Sequence, residues 1–459
     1  MKYISTRGGA DPVDFVTACL SGLAPDGGLY VPEAWPQIPP ARPGEPYVDL
    51  ATRIFAAFAG DAMPAADLKH ICETAYASFS HQGVAPLVQL SPGEWMMELH
   101  HGPTLAFKDV AMQFIGRFYD HVLGERGLQM TVMCATSGDT GGAAAAAFAG
   151  SPHVTLIILH PDGRVSPVQR RFMTSTGAAN IHNFAIDGDF DSCQAIVKAL
   201  FADKEFASDV ALSGVNSINW ARIAAQTVYY AFAQASLGPD VPLRFIVPSG
   251  NMGDVLAGYV AGRCGLLAEF DAVSAVNLNQ TLADLTTRGH MRRTPAAATP
   301  SPAMDISVPS NFERLLFDLV DRDAGAVRQF YNSYAQSGEA QLPDAAFKAL
   351  QALSFDAEPV DNDATLNDMR RILAETGWLI CPHTAVGTAI STKMETEKPR
   401  IVLATAHAAK FPETVLDATG RDAPLPERCA ALAERGEQFE RVEASEVAVR
   451  SRVRALLAP

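Results

Sequence analysis

The stretch Met130-Thr-Val-Met-Cys-Ala-Thr-Ser-Gly-Asp-Thr-Gly-Gly142 decides the fold class of this chain. Its first six residues form a short apolar run, which is typical of a buried strand. A polar, glycine-rich turn follows, and the alanine-rich run 142–148 then favours a helix. The same order of strand, glycine-rich turn and helix returns at residues 243–265. A strand that leads through a turn directly into a helix is the building unit of α/β sheets.

Outward from this stretch, apolar runs and amphipathic segments alternate along the chain. The predicted strands are 130–135, 154–159, 181–186, 243–247, 272–276 and 401–404. The predicted helices are 107–124, 166–174, 191–202, 216–236 and 254–265. This alternation predicts an α/β fold with open sheets that carry helices on both faces. Residues 1–90 contain several helical stretches, and the Pro/Ala/Thr-rich residues 292–310 are predicted to form a linker or mobile insertion.

The composition limits the partners of the protein. With 36 basic against 51 acidic residues in a chain of 459, the net charge of −15 opposes binding to nucleic acid or to an anionic membrane. No run of about 18 apolar residues is present to span a bilayer, and the N-terminal residues lack the apolar segment of a signal peptide. The 7 cysteines form no CxxC pair and predict free core thiols, with no disulfide frame and no metal site. We therefore expect a cytoplasmic protein of two or three domains.

Two glycine-rich turns carry candidate site residues. Residues 250–254, between a predicted strand and a predicted helix, can turn backbone N–H groups toward one point at a helix N-terminus, which suits a phosphate. A purely structural turn is the alternative. Ser137, Asp139 and Thr140 in the other turn suit a carboxylate or a phosphate, with helix capping as the alternative.

Four further side chains have chemistry of their own. Lys108 opens a predicted apolar helix, where its pKa would be lowered and the neutral amine could form a Schiff base or accept protons; a surface lysine is the alternative. Asn216 and Arg222 offer an amide and a guanidinium to an oxyanion, although a capped helix with a solvated arginine fits the same pattern. Thr405 places a hydroxyl at the end of a predicted strand.

Together these motifs resemble threonine synthases, which are pyridoxal-phosphate (PLP) enzymes of fold type II in the tryptophan synthase β-like family. The resemblance spans nearly the whole chain, and its motifs follow the family's order. They are YISTRG at 3–8, GLAPDGGLY at 22–30, HGPTLAFKD at 101–109, SGDTG at 137–141, NSINWARI at 216–223, SGNMGD at 249–254, PSNFER at 309–314, PHTAVG at 382–387 and LATAHAAKF at 403–411. Two positions depart from the usual pattern: Asp139 stands where many relatives with this fold carry Asn, and Ala408 where the family often has Pro.

The resemblance implies an architecture and a set of residue roles. It implies two open, twisted, mostly parallel sheets flanked by helices, with a mainly helical N-terminal domain at 1–95, a large PLP-binding domain at 96–125 and 216–459, and a small mobile substrate-binding domain at 126–215. Lys108 is expected to hold PLP as a Schiff base, and Thr405 to bond the pyridine nitrogen. The PLP phosphate is expected at Gly250, Asn251, Met252, Gly253 and Asp254. Ser137, Asp139 and Thr140 are expected to receive the substrate carboxylate or to approach the cofactor ring, and Asn216, Ser217 and Arg222 are expected to receive the substrate phosphate.

The implied activity is the conversion of O-phospho-L-homoserine and water to L-threonine and phosphate, by a monomer or homodimer. A PLP-dependent dehydratase or lyase of the same fold is one alternative. Its substrate, Ser or Thr, has no phosphate for Arg222 to bind. A catalytically silent binding module is the other alternative, and the presence of Lys108 argues against it.

Overall fold

The computed structural model of the chain describes residues 1–394 and 397–457 and confirms the mixed α/β class. The strands are β1 (Tyr3–Ser5), β2 (Tyr30–Pro32), β3 (Leu87–Ser91), β4 (Glu94–Glu98), β5 (Met130–Ala135), β6 (Val154–Pro161), β7 (Ile181–Ile186), β8 (Leu212–Ser213), β9 (Arg244–Pro248), β10 (Asp271–Val276), β11 (His290–Arg292), β12 (Glu339–Gln341), β13 (Ser354–Pro359), β14 (Arg400–Ala404) and β15 (Glu440–Val442). The helices are α1 (Phe15–Ser21), α2 (Tyr47–Ala59), α3 (Ala65–Tyr76), α4 (Lys108–Arg126), α5 (Asp139–Phe148), α6 (Pro167–Thr174), α7 (Phe190–Ala202), α8 (Lys204–Asp209), α9 (Trp220–Leu237), α10 (Gly253–Arg263), α11 (Thr281–Arg288), α12 (Phe312–Leu319), α13 (Ala324–Ser337), α14 (Asp344–Gln351), α15 (Asn362–Thr376), α16 (Pro382–Ser391), α17 (Pro412–Thr419) and α18 (Glu446–Leu457).

The larger sheet has the strand order β13-β10-β9-β14-β4-β3. Neighbouring strands run parallel, except that β3 is antiparallel to β4. Strands β9 and β14 are buried along nearly their whole length, as is typical of parallel strands covered by helices on both faces. Because β9 and β14 are parallel neighbours, the residues that follow them meet at the same edge of the sheet. The predicted phosphate turn follows β9, and Thr405 follows β14.

The smaller sheet is parallel throughout its described strands, in the order β15-β7-β6-β5-β8. Its edge strand β15 and the last helix, α18, come from the C-terminal end of the chain, which the sequence analysis placed in the large domain. That placement is corrected here: Val449 and Val453 of α18 are buried with Phe184 and Ile157 in the core of the smaller sheet. The division into domains that move independently remains a prediction.

The N-terminal region is mainly helical, as expected, and its short β1–β2 ladder is antiparallel. It packs around Trp220. The centroid of the Trp220 ring lies 5.7 Å from the centroid of the Tyr3 ring and 5.5 Å from that of the Phe58 ring. The indole N–H of Trp220 donates to the Tyr3 hydroxyl at 3.1 Å. Because Trp220 is the first residue of α9, this contact fixes the start of that helix against the N-terminal region.

One prediction about local structure is wrong. The helix expected at 216–236 begins only at Trp220, because the side chain of Asn219 caps it by accepting from the N–H of Ala221 at 2.9 Å. Residues 292–310, expected to form a linker or mobile insertion, contain no helix or strand from 293 to 300, and part of this stretch contributes to the wall of a cavity. They are held there by the amide of Asn277, which donates to Ser301 at 3.0 Å and to Asp305 at 2.8 Å.

The described helices include none that is both long and apolar enough to cross a bilayer. Each of the 7 cysteines is buried as a free thiol.

We predict that Val453→Ala lowers the free energy of unfolding by about 2 kcal/mol, because it removes two buried methyl groups and leaves a cavity. Val453 is 0% exposed. The matched control is Val447→Ala in the same helix, where the side chain is 70% exposed, and its effect should stay within about 0.5 kcal/mol. Urea unfolding of both variants provides the measurement. Equal effects of the two substitutions would contradict the packing of α18 on the smaller sheet.

Candidate active site

A cavity of about 630 Å³ lies between the carboxyl edges of the two sheets. It brings together every site residue that the sequence analysis selected. These lining residues are Lys108, Ser137, Asp139, Thr140, Asn216, Ser217, Arg222, Gly250, Asn251, Met252, Gly253, Asp254 and Thr405. They come from five separate strand or helix ends, so the fold assembles residues that lie far apart in the sequence.

Lys108 is the first residue of α4, and the segment before it pairs with the segment after β14. The N–H of Phe107 donates to the carbonyl of Thr405 at 2.8 Å, and the N–H of His407 donates to the carbonyl of Leu105 at 3.0 Å. This short antiparallel pairing places Lys108 and Thr405 on the same wall of the cavity. The side chain of Lys108 is 12% exposed, so it is not the surface lysine that the alternative required.

Opposing charges act on the Lys108 amine. Burial lowers its pKa, and the cations of Arg222 and Lys410 lower it further. Asp139, with Oδ2 at 3.4 Å from the Lys108 Nζ, acts in the opposite direction. The net result is a lowered pKa, which increases the fraction of neutral amine that can attack a carbonyl or accept a proton.

Asp139, the first residue of α5, is ionised. Burial alone would raise the pKa of Asp139, but the ammonium groups of Lys410 and Lys108 hold it well below its usual range. Its Oδ1 lies 2.7 Å from the Lys410 Nζ and accepts from the side-chain amide of Gln169 at 2.9 Å. Asp139 is therefore an internal anion next to Lys108, and the substrate contact expected of it stays a prediction.

The glycine-rich turn after β9 leaves backbone donors free. Within residues 1–394 and 397–457, no acceptor faces the N–H groups of Asn251, Met252 and Gly253. The turn is anchored from behind, because Asn251 Oδ1 accepts from the N–H of Ser310 at 3.0 Å. A side chain at position 250 would collide with Ile306, because the backbone at Gly250 passes close to that residue. These free donors at the start of α10 form a cradle for a small anion.

Asp254 ends this turn, and burial raises its pKa to about 6. Its Oδ1 accepts hydrogen bonds from the hydroxyls of Tyr229 and Tyr230, whereas its Oδ2 is buried with no partner among the described residues. A carboxyl that readily takes up a proton repels a neighbouring anion less than an ordinary aspartate does.

Arg222 and its neighbours form a second anion site. Arg222 is buried, which lowers its pKa to about 10, and its Nε has no hydrogen-bond partner in the described part of the chain. Ser217 accepts from the side-chain amide of Asn251, so the two anion sites are joined. Asn216 lies before the α9 cap and faces the cavity with Ser217. A buried guanidinium with an unsatisfied N–H is a strong receptor for phosphate.

Sequence reasoning missed Lys410, Gln169 and His383. Lys410 is fully buried at the end of the LATAHAAKF motif, where a lysine in an apolar run was the available signal. Gln169, in α6, has no pattern that marks it. His383 lines the cavity, and burial lowers its pKa to about 3, so it is neutral near pH 7.

Comparisons with known proteins agree with this arrangement. The family model described as "Threonine synthase N terminus" matches residues 2–76, "Pyridoxal-phosphate dependent enzyme" matches 79–342, and "Threonine synthase, C-terminal" matches 384–453. The chain is 44% identical over 446 residues to the threonine synthase of Pseudomonas aeruginosa, and the match covers 95% of each protein.

Solved structures are similar over the full length. The PLP-bound threonine synthase of Brucella melitensis has a TM-score of 0.95 at 45% identity, with 100% of both chains covered. The threonine synthase of yeast has a TM-score of 0.92 at 35% identity, and the match covers 100% of this chain and 99% of that one.

We predict that Asp254→Asn changes the pH dependence of stability. Since the pKa of Asp254 is about 6 in the folded protein and near 3.8 otherwise, the folded state binds the proton more tightly. The carboxyl therefore stabilises the protein fully below about pH 4, and this contribution is lost as the pH rises through about 6. As the pH rises from about 4 through about 6, the free energy of unfolding of the variant should therefore increase by about 3 kcal/mol relative to that of the unsubstituted protein. An anion in the turn raises the pKa further and leaves the sign unchanged.

Urea unfolding from pH 4 to pH 7.5 measures this difference. Two parallel curves of unfolding free energy against pH would show that Asp254 does not titrate in this range.

Proposed function

Because this chain belongs to the threonine synthase family of pyridoxal-phosphate-dependent enzymes, we propose that it converts O-phospho-L-homoserine and water to L-threonine and phosphate. The observation that carries the proposal is the position of the Lys108 amine, which has a lowered pKa and lies in one cavity with two anion sites. PLP and the substrate each carry a phosphate, so the reaction needs both sites.

The residues present fit PLP. The Lys108 amine supplies the nucleophile for an aldehyde, and the free N–H groups of residues 251–253 supply a phosphate cradle. The Thr405 hydroxyl, on the same wall as Lys108, supplies a neutral partner for a pyridine nitrogen. When bound, the cofactor supplies a conjugated system that accepts electrons from carbon. The protein supplies orientation and charge.

The substrate has a carboxylate and a phosphate at opposite ends. We assign the carboxylate to the N-terminus of α5, where the N–H groups of Ser137 and Thr140 have no acceptor among the described residues. We assign the phosphate to Asn216, Ser217 and Arg222, because the unsatisfied Nε of Arg222 needs an anionic partner. This orientation places the carbon chain of the substrate between the N-terminus of α5 and Arg222, in the cavity that Lys108 also lines.

Lys108 has the second role of moving protons. Once its amine is free, the low pKa lets it accept a proton from one carbon and return it to another. Water is required late in the reaction, so the cavity must first exclude it. The piece formed by residues 126–215 is our candidate for the moving part, since it lines one side of the cavity through Arg164 and Lys198. We place the enzyme in a reducing, cytoplasmic compartment, in keeping with its buried free thiols.

We predict that Lys108→Ala abolishes the visible absorbance of bound PLP and the release of phosphate from O-phospho-L-homoserine, because no other amine occupies its place. Lys348→Ala, on the exposed face of α14, is the control and should keep both signals. Absorbance spectra and a phosphate assay are the measurements. Retained absorbance in the Lys108→Ala protein would refute the assignment of the cofactor lysine.

We predict that Arg222→Met reduces kcat/KM for O-phospho-L-homoserine by roughly 100-fold, since a charge-assisted hydrogen bond to phosphate is worth up to about 3 kcal/mol. The absorbance of bound PLP should be retained, and competitive inhibition by inorganic phosphate should weaken in parallel. Arg292→Met, at an exposed position of β11, is the control. Turnover of O-phospho-L-homoserine at an unchanged rate would refute the assignment of the substrate phosphate to Arg222.

A further inference from the structure

An ion pair is buried behind the Lys108 amine. The Lys410 Nζ lies 2.7 Å from Oδ1 of Asp139, and the two residues are 0% and 5% exposed. The same ammonium group donates to the carbonyl of Thr104 at 2.7 Å. Buried charges are costly unless they are paired and hydrogen-bonded, and here both conditions are met.

The two oxygens of Asp139 have different partners. Oδ1 is occupied by Lys410 and by the side-chain amide of Gln169, whereas Oδ2 faces the Lys108 Nζ at 3.4 Å. The contacts on Oδ1 thereby hold the carboxylate in one orientation. Its second oxygen is left to act on Lys108.

The ion pair also joins two parts of the chain. Lys410 ends the short 3-10 turn 408–410, which follows β14 of the larger sheet. Asp139 is the first residue of α5 and Gln169 lies in α6, and both helices belong to the smaller sheet. The hydroxyl of Ser166, which caps α6, donates to the carbonyl of Lys410 at 3.3 Å. Lys410 is thus fixed to both sheets, and so is the carboxylate that it holds.

We propose that Lys410 is a positioning residue that keeps Asp139 ionised and turned toward Lys108, so that a fixed negative charge holds a proton on the Lys108 nitrogen. The inference rests on the proposed function in one respect, namely that Lys108 carries the cofactor. Without a cation beside it, a carboxyl at this depth would take up a proton and lose its charge. Lys410 therefore sets the charge of Asp139 without contacting the substrate itself.

Other titratable groups face this cluster. They are Arg222, His383, Cys381, Cys429, Asp109 and Asp254. Burial lowers the pKa of His383 to about 3 and raises the pKa of the Cys381 thiol, so both are neutral near pH 7. Burial raises the pKa of Asp109 and Asp254 to about 6. Arg222 stays cationic, so Asp139 is the group that most directly favours a positive charge on the Lys108 nitrogen.

The test uses the holoenzyme and follows the visible absorbance of bound PLP against pH, which reports the proton on the Lys108 nitrogen. We expect Lys410→Met to lower the pH of the spectral transition by at least one unit, which is a tenfold loss of proton affinity. Asp139→Asn should do the same, and Lys410→Arg should stay close to the unsubstituted enzyme. If Asp139 remained ionised without Lys410, removal of a cation would raise the transition pH instead. That opposite sign would overturn the proposal.

A double variant keeps the inference testable if Lys410→Met alone does not fold stably. In the Asp139→Asn background no buried carboxylate is left unpaired, and there Lys410→Met should not lower the transition further. A further decrease would show that Lys410 acts by another route and would overturn the inference. Absence of PLP absorbance from the unsubstituted protein would instead refute the proposed function. Lack of phosphate release by a protein with the expected spectra would refute only the substrate assignment.

Discussion

A lysine amine becomes reactive when it leaves water, but its charge must then be balanced by what surrounds it. At Lys108 the balance has two sides. Burial and the cations of Arg222 and Lys410 favour the neutral amine, while the carboxylate of Asp139 favours the proton. Neither influence dominates completely, so the group can both attack a carbonyl and exchange protons. The rest of the cavity depends on this balance, since a fully charged amine would not react and a fully neutral one would not return a proton.

The topology of the sheets supplies the required geometry. Parallel strands end at the same edge, so the turn after β9 and Thr405 after β14 are neighbours although about 150 residues separate them in sequence. The second sheet presents the turn after β5 to the same space. Helix N-termini lie at both turns, and their free N–H groups provide anion sites without additional charged side chains. Each sheet therefore contributes one anion site through its backbone.

The selected site residues could be found from the sequence because they lie at strand-to-helix junctions with distinctive composition. Prediction from the sequence failed where tertiary contacts decide the structure. Asn216 to Ile218 are compatible with a helix, and the helix starts later because Asn219 is held by the carbonyl of Cys19 at 2.8 Å, a partner 200 residues away. Strand β15 spans Glu440–Val442, which is too short to show a period in the sequence. Lys410 resembles any lysine until the fold places Asp139 beside it.

The charge of the cavity also explains why the overall charge of −15 does not describe the ligands. Lys108 and Arg222 line the space and Lys410 lies buried against Asp139, which offsets only one of these three cations, while Asp254 takes up a proton more readily than an ordinary aspartate. Within a buried site these nearby charges outweigh distant surface carboxylates, because water screens the surface more strongly than the interior. A ligand with two anionic groups therefore meets the cations of Lys108 and Arg222 at close range inside an acidic protein, although Asp189, Asp191 and Asp305 also line the cavity. Asp139 is kept ionised beside these cations, next to the amine to which we assign the proton transfers.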